Sequence, residues 1–214
     1  MTAIAIFVKT PEVSPVKTRL AASIGNVAAQ RFYLASAAAV ASVVRRCGTA
    51  LSPYWAVAER ETDAWSGFPA IWQGEGDLGE RMERVYGELL AAHGSALLIG
   101  ADIPQVTPAL LTAAATAVHA GDAPYVIGPA KDGGFWLVGG RQPVPVAAWR
   151  ETPYSQANTL DVFTRALRHA GKYTRLDTLT DADSLADVPE LLRELADLES
   201  PTPEQIALAA WPAS

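Results

Sequence analysis

The chain has 214 residues, 50% of them hydrophobic and 19% charged, which is enough for one domain with a sizeable core over residues 1–214. A net charge of −6 argues against a broad nucleic-acid surface, so any anionic ligand must be met by a local cluster of positive charge. The single cysteine, Cys47, excludes an intrachain disulfide and a cysteine-rich zinc site, and is expected to pack as a small apolar residue at a helix end.

Strand-like and helix-like stretches alternate, which predicts an α/β fold with a largely parallel sheet. Ala3–Val8 reads as the first strand; it is too short, and lacks the basic leader, for a signal peptide. The loop after it, Lys9 to Leu20, brings three cations, Lys9, Lys17 and Arg19, to the carboxyl end of a strand. Phosphates need such donors, lysine as a point charge and arginine as a fork. The glycines of a Walker loop or a dinucleotide fingerprint are missing.

Val27–Arg46 reads as a long helix closed by Gly48, and its apolar tract from Phe32 to Val44 is shorter than a membrane span. With no span and no leader, a cytoplasmic protein is expected. Tyr54–Ala58 and Ala70–Gln73 read as the next two strands. Gly74 to Met82 then forms a glycine-rich approach to a helix N-terminus, a place that favours anions. Gly76 and Arg81 are candidate nucleotide contacts here, Arg81 because a cation in a first helical turn opposes the helix dipole. Asp77 is better read as a helix cap, forming a capping-box start with Glu80 to the helix Leu78–Ala92, which Gly94 ends.

Ala96–Gly100 is a short, wholly apolar run that suits a strand buried on both faces. It presents Asp102, followed by Pro104. Ligands in open α/β sheets sit beyond the carboxyl ends of strands, where a carboxylate can hold a divalent metal. Pro108–Ala120 follows as a helix with Thr107 as its N-cap. Tyr125–Gly128 and Phe135–Gly139 read as strands joined by a turn that carries Asp132, Gly133 and Gly134. Asp-Gly is a hairpin signal, and a turn can also line a pocket.

Leu160–Ala170 reads as a helix, Tyr173–Leu176 as a late strand and Leu185–Leu198 as a helix with Ser184 and Asp187 as its capping box. In Thr180-Asp181-Ala182-Asp183 the two carboxylates alternate, so an extended segment points them the same way. Magnesium usually takes one or two protein carboxylates plus phosphate oxygens and water, a requirement that Asp102 and Asp183 meet. Pro203–Ala210 is expected to be helical, with Trp211 packing back. His93, His119 and His169 fall near helix C-termini and form no ligand spacing. Trp136 and Trp149 are candidate walls of an acceptor pocket.

In order, KTPEVSPVKTRL, GEGDLGERM, GADIP, GPAKDGGFWLVG and TDADSLAD resemble the glycosyltransferase-like family of the radical-SAM/selenodomain-associated type. That family is similar to GT-A-fold nucleotide-diphospho-sugar transferases and to the small nucleotidyltransferases that guanylylate molybdopterin or phospholactate. The resemblance spans Ile4 to about Leu192. It implies a Rossmann-like GT-A domain with a nucleotide across the strand ends. By the same resemblance Lys17 and Arg19 face phosphate, Asp102 and Asp183 hold Mg²⁺ or Mn²⁺, and Asp132, Gly133 and Gly134 lie on the acceptor side. Ser14 stands where the family usually has a glycine, and one acid rather than two stands at the metal strand.

The function expected is a metal-dependent transferase using a nucleotide-diphospho-sugar donor and a small-molecule acceptor, with Lys17 and Asp132 as candidate catalytic residues. One alternative is a nucleotidyltransferase that joins a nucleoside triphosphate to a phosphorylated acceptor and releases pyrophosphate. The other is a non-catalytic nucleotide-binding module.

Overall fold

The structure, a computed structural model, describes residues 1–60 and 62–212. Strand β1 (Thr2–Val8) lies inside a sheet of seven strands and is covered on both faces, which is why its sequence reads as an unbroken apolar run. The other strands are β2 (Leu51–Val57), β3 (Ala70–Trp72), β4 (Ala96–Gly100), β5 (Tyr125–Pro129), β6 (Phe135–Gly140) and β7 (Tyr173–Arg175). Their order is β3-β2-β1-β4-β6-β5-β7. Only β6 runs against its neighbours, because residues 130–134 turn it straight back from β5. The expected α/β architecture with a mostly parallel sheet is present.

Strand β2 begins earlier than its sequence suggests, because Pro53 sits inside it. Proline lacks a donor and is tolerated where a strand has a free edge. β3 pairs only with Trp55 to Val57, so the Pro53 half of β2 has no neighbour on that side. In β4, Leu97 and Ile99 enter one core cluster while Ala96 and Leu98 enter the other. Each fully buried Leu or Ile contributes about 1.5–3 kcal/mol.

Eight helices flank the sheet among the described residues: α1 (Thr18–Ile24), α2 (Asn26–Arg46), α3 (Leu78–His93), α4 (Pro108–His119), α5 (Val146–Arg150), α6 (Thr159–Leu167), α7 (Val188–Ala196) and α8 (Pro203–Ala209). Helices α2 and α4 cover one face of the sheet, and α3, α5 and α6 the other. A third cluster joins α1, α2, α7 and α8. By length and composition the 21-residue α2 could cross a membrane, but most of its apolar window is buried in the core. It is longer than the apolar tract read from sequence because polar Asn26, Gln30, Arg31, Arg45 and Arg46 extend both ends.

The α3 capping box forms as expected: the Glu80 N–H donates to Asp77 at 3.0 Å, and the Asp77 N–H donates to Glu80 at 3.1 Å. Only half of the expected box at Ser184 and Asp187 forms: the Asp187 carboxylate accepts from the Ser184 N–H at 2.7 Å, but the Asp187 N–H goes to the Ser184 carbonyl and not to the Ser184 side chain. α7 starts only at Val188, where Pro189 suits the first turn, and the Asp187 carboxylate turns back to accept from the backbone N–H groups of Asp183 and Ser184. Thr202 and Gln205 cap α8, and Trp211 packs edge-on against Phe32 at 5.4 Å. Cys47 ends α2 half-buried against the core, as expected.

Candidate active site

Loops following β1, β4, β5 and β7 meet at one edge of the sheet, around a cleft of about 660 Å³. That is the edge where the strands' carboxyl ends converge, and the size suits a small-molecule ligand. The loop after β1 does not stay a loop. It winds into α1, and Lys17 stands at the helix start in the left-handed region (φ 45°). That conformation is costly for a residue with a Cβ. It accompanies a lysine whose side chain turns inward and is only 6% exposed.

Lys17 Nζ donates to Asp102 Oδ2 at 3.0 Å and to Asp183 Oδ1 at 2.8 Å. The two carboxylates therefore converge on one ammonium. Burial opposes the charge on Lys17, but the two carboxylates outweigh it and its pKa rises above the usual lysine value. Burial likewise pushes Asp102 up, yet Lys17 wins and holds its carboxyl below the usual range. A Cβ at position 100 would press on Asp102 Oδ1, so glycine there leaves the carboxylate its place against Lys17. Ser36 on α2 pins the next residue by donating to the Ala101 carbonyl at 2.7 Å. Asp183 is fixed by Asp187, whose Oδ2 accepts from the Asp183 N–H at 3.2 Å and the Ser184 N–H at 2.7 Å.

Arg19 reaches within 3.9 Å of Asp183 but stays 68% exposed, so its guanidinium is open to a ligand. Lys9 also lines the cleft, with its N–H donating to Tyr33 Oη at 2.8 Å. Glu59 braces this loop by accepting from the Thr10 N–H at 2.8 Å. Asp132 borders the cleft and accepts from the Gly134 N–H at 2.7 Å, so its turn role and its place at the site coexist.

The cleft thus brings together Lys9, Lys17, Arg19, Asp102, Asp132, Gly134 and Asp183. It does not include Gly76, Arg81 or Gly133. Arg81 folds back to donate to the Gly76 carbonyl at 3.0 Å, which accounts for a cation in that helical turn without a ligand. Gly133 has φ +92° and leaves no room for a Cβ against the Ala157 carbonyl, so it is a packing requirement. Trp136 forms part of the cleft floor and donates to the Asp177 carbonyl at 3.0 Å. Trp149 does not reach the cleft: it is buried against Tyr86 and Phe163 under α3 and α6. His93 pairs with Tyr54, His119 pairs with Thr2, and no histidine lines the cleft.

Two residues given no role by the sequence reading stand in the site. Asp181, two positions before Asp183, also borders the cleft. Burial first, and then the charges of Asp132, Asp102 and Asp183, push its carboxyl up to about 7. The alternation of Asp181 and Asp183 was the available signal. Gln73 lines the cleft from the end of β3, and no motif marks it.

A polar network behind the site ties its loops to α7. The Glu194 carboxylate accepts from Gln105 at 3.0 Å, from Thr180 at 2.6 Å and from Lys131 at 3.1 Å. Those three residues belong to the loops that carry Asp102, Asp181 and Asp132. Among the described residues no group of three or more His, Cys, Asp or Glu is arranged to hold a metal ion. The convergent pair Asp102 and Asp183 supplies two hard oxygen donors, which fits Mg²⁺ or Mn²⁺ when phosphate and water complete the shell.

The profile of a bacterial family described as "Uncharacterized protein conserved in bacteria (DUF2064)" matches residues 34–156, more than half of the chain. The chain belongs to this family. DUF2064 so defined covers β2 to β6 and includes Asp102 and Asp132, while Lys17 and Asp183 lie outside the matched segment. No functionally curated protein matches. Among solved structures, the DUF2064 chain is similar to a candidate nucleotide-diphospho-sugar transferase from Desulfovibrio desulfuricans G20, with 26% identity and a TM-score of 0.83 over 97% of this chain and 93% of that one. Rv0371c from Mycobacterium tuberculosis H37Rv matches at 14% identity and a TM-score of 0.52, covering 90% of this chain and 98% of that one. A CMP:2-keto-3-deoxy-manno-octonic acid synthetase complexed with CTP matches at 12% identity and a TM-score of 0.50, covering 92% and 99%. The last two likenesses concern the fold alone. The fold is that of nucleotide-diphospho-sugar transferases.

Proposed function

We propose that this chain is a divalent-metal-dependent transferase that takes a nucleotide-diphospho-sugar donor and a small-molecule acceptor. The observation that carries the reading is the buried Lys17 ammonium between Asp102 and Asp183, beside the open Arg19, at the carboxyl edge of the sheet. The likeness to the Desulfovibrio candidate transferase over nearly the whole chain supports it.

In this reading Lys17 and Arg19 meet the diphosphate, where negative charge develops as the nucleoside diphosphate leaves. One cation about 4 Å from a phosphate oxygen contributes about 4 kcal/mol at an effective dielectric near 20, before desolvation. Asp102 and Asp183 would hold Mg²⁺ or Mn²⁺, which supplies Lewis-acid stabilisation of phosphate oxygens. In the transfer itself, the bond from the sugar's anomeric carbon to the phosphate oxygen breaks. A bond from that carbon to the acceptor oxygen forms, and the acceptor's proton passes to a carboxylate. Asp132 is the candidate, since it borders the cleft on the β5–β6 turn, apart from the Lys17 pair.

Two observations favour a second reading, nucleotidyl transfer from a nucleoside triphosphate to a phosphorylated acceptor: the single acid at the end of β4, and a lysine rather than a further carboxylate at the centre of the site. Product analysis separates the two. With Mg²⁺ and a panel of donors, release of free nucleoside diphosphate supports the first reading and release of pyrophosphate the second. Asp102→Asn abolishes either activity while leaving the protein folded. Nucleotide binding with no turnover of any donor leaves only a non-catalytic module.

A further inference from the structure

Lys17 stands where a metal shared by Asp102 and Asp183 would stand. Its Nζ lies 3.0 Å from Asp102 Oδ2 and 2.8 Å from Asp183 Oδ1, and its side chain is 6% exposed. The other two carboxylate oxygens face elsewhere: Asp102 Oδ1 lies against Gly100, and Asp183 Oδ2 stands 3.9 Å from Arg19 Nη1. The oxygens that converge are therefore the two that Lys17 holds. Magnesium sits about 2.1 Å from a carboxylate oxygen, so on either atom it comes within about 5 Å of Nζ. A dication that close to a buried ammonium is repelled, with little water to screen it.

The lysine is also held under strain. Lys17 has φ 45°, and Glu12, earlier in the same loop, has φ 74°. Left-handed backbone at a residue with a Cβ persists only where other contacts impose it. At Lys17 those contacts are the two ion pairs and the bond from the Ala21 N–H to the Lys17 carbonyl at 2.8 Å. Withdrawing the side chain gives up the ion pairs and leaves that first bond of α1 in place. A withdrawn ammonium enters the cleft that Lys9 and Arg19 also line. Phosphate bound there offers it the anionic partner it has lost.

Resting on the metal and nucleotide reading above, we infer that Lys17 is a place-holder for the divalent cation. Its ammonium keeps Asp102 and Asp183 together in the metal-free protein, leaves them when the metal enters, and turns to the phosphate that arrives with it. Loading is an exchange of one cation for another, with no covalent bond made or broken. Free metal must expel the ammonium into water and binds poorly. Metal arriving with phosphate gives each charge a partner and binds well.

The test is a titration of the intact chain with Mn²⁺ alone, with free Mn²⁺ read by electron paramagnetic resonance. Binding at the acids is the part that Asp102→Asn removes. A metal-competent state populated a tenth of the time or less weakens apparent affinity in proportion, so Lys17→Met is expected to bind Mn²⁺ at least about tenfold tighter than the unmodified protein. Arg19→Met removes the same charge from an exposed position and is expected to change affinity less than about threefold. Of the four lysines, Lys9, Lys131 and Lys172 are exposed, so Lys17 is the buried one, and its ammonium is followed directly by nitrogen-15 resonance in the unmodified chain. Saturating Mg²⁺ is expected to shift that signal and open it to exchange with water. A signal unmoved by saturating Mg²⁺ overturns the inference even where Lys17→Met does not fold. Equal Mn²⁺ affinity in Lys17→Met and the unmodified protein overturns it and leaves the metal reading intact, and so does an equal gain in Arg19→Met. No Mn²⁺ bound at the acids in any of these proteins overturns both.

Discussion

Replacing Lys17 with methionine removes the ammonium and keeps much of the side chain's bulk. At the observed 3.0 and 2.8 Å, each ion pair is worth roughly 5–6 kcal/mol at an effective dielectric of 20. Desolvation of the three groups offsets most of that in the intact site. The variant keeps the desolvation of Asp102 and Asp183 and loses the attraction. The Asp102 and Asp183 side chains are 34% and 42% exposed, so solvent screens part of the residual repulsion. A net loss of about 2–3 kcal/mol at pH 8 follows, or a melting point lower by about 5–10 °C for a chain of this size. The wild-type Asp102 pKa is depressed, so its contribution exists above the unfolded carboxylate pKa and fades as pH falls through the folded value. The gap between variant and wild type therefore narrows below about pH 4. Mg²⁺ restores more stability to Lys17→Met than it adds to wild type, because it replaces the missing cation. Scanning calorimetry at pH 8 and pH 4, with and without Mg²⁺, reads all three effects. Equal melting points at pH 8 would refute the reasoning.

Asp181→Asn has the opposite sign. A carboxyl raised to about 7 binds its proton more tightly in the folded state, so wild type loses stability as pH climbs from about 4 to about 7. The variant escapes this and is more stable at pH 8, by at most about 4 kcal/mol, with no gain near pH 4; a urea titration at the two pH values checks it. Glu194→Ala leaves the Gln105 and Thr180 side chains without their shared acceptor and costs about 2 kcal/mol, read as a fall in denaturation midpoint. Gly133→Ala meets both a left-handed backbone and the Ala157 carbonyl, and costs about 2–3 kcal/mol in the same assay; a neutral result would mean the turn relaxes freely.

The sheet was legible because its central strands are buried on both faces, and β1 and β4 accordingly read as plain apolar runs. The α3 start was legible because a capping box is a local signal. The start of α7 was only half legible, because the acid at 187 makes its expected bond to the Ser184 N–H but also holds Asp183, and the helix begins one residue after it. Only tertiary structure decides that second bond. The convergence of Lys17, Asp102 and Asp183 was foreshadowed by residue type and by position after strands. Its form was not, because a left-handed lysine that turns inward has no sequence signature. Arg81 and Gly76 lie outside the cleft lining and bond to each other, a contact between residues five positions apart that composition does not reveal. Trp149 was indistinguishable from Trp136 by type, and only packing separates the buried one from the one that lines the cleft.

The central claim is that the edge holding Lys17, Asp102 and Asp183 binds a nucleotide's phosphates. A thermal-denaturation series of the intact chain against nucleoside diphosphates and triphosphates, each with and without Mg²⁺, tests it most directly. The account predicts metal-enhanced stabilisation of roughly 2.7 kcal/mol at 100 times the dissociation constant, and its loss in Asp102→Asn. An unchanged melting point with every nucleotide, with or without metal, would contradict it.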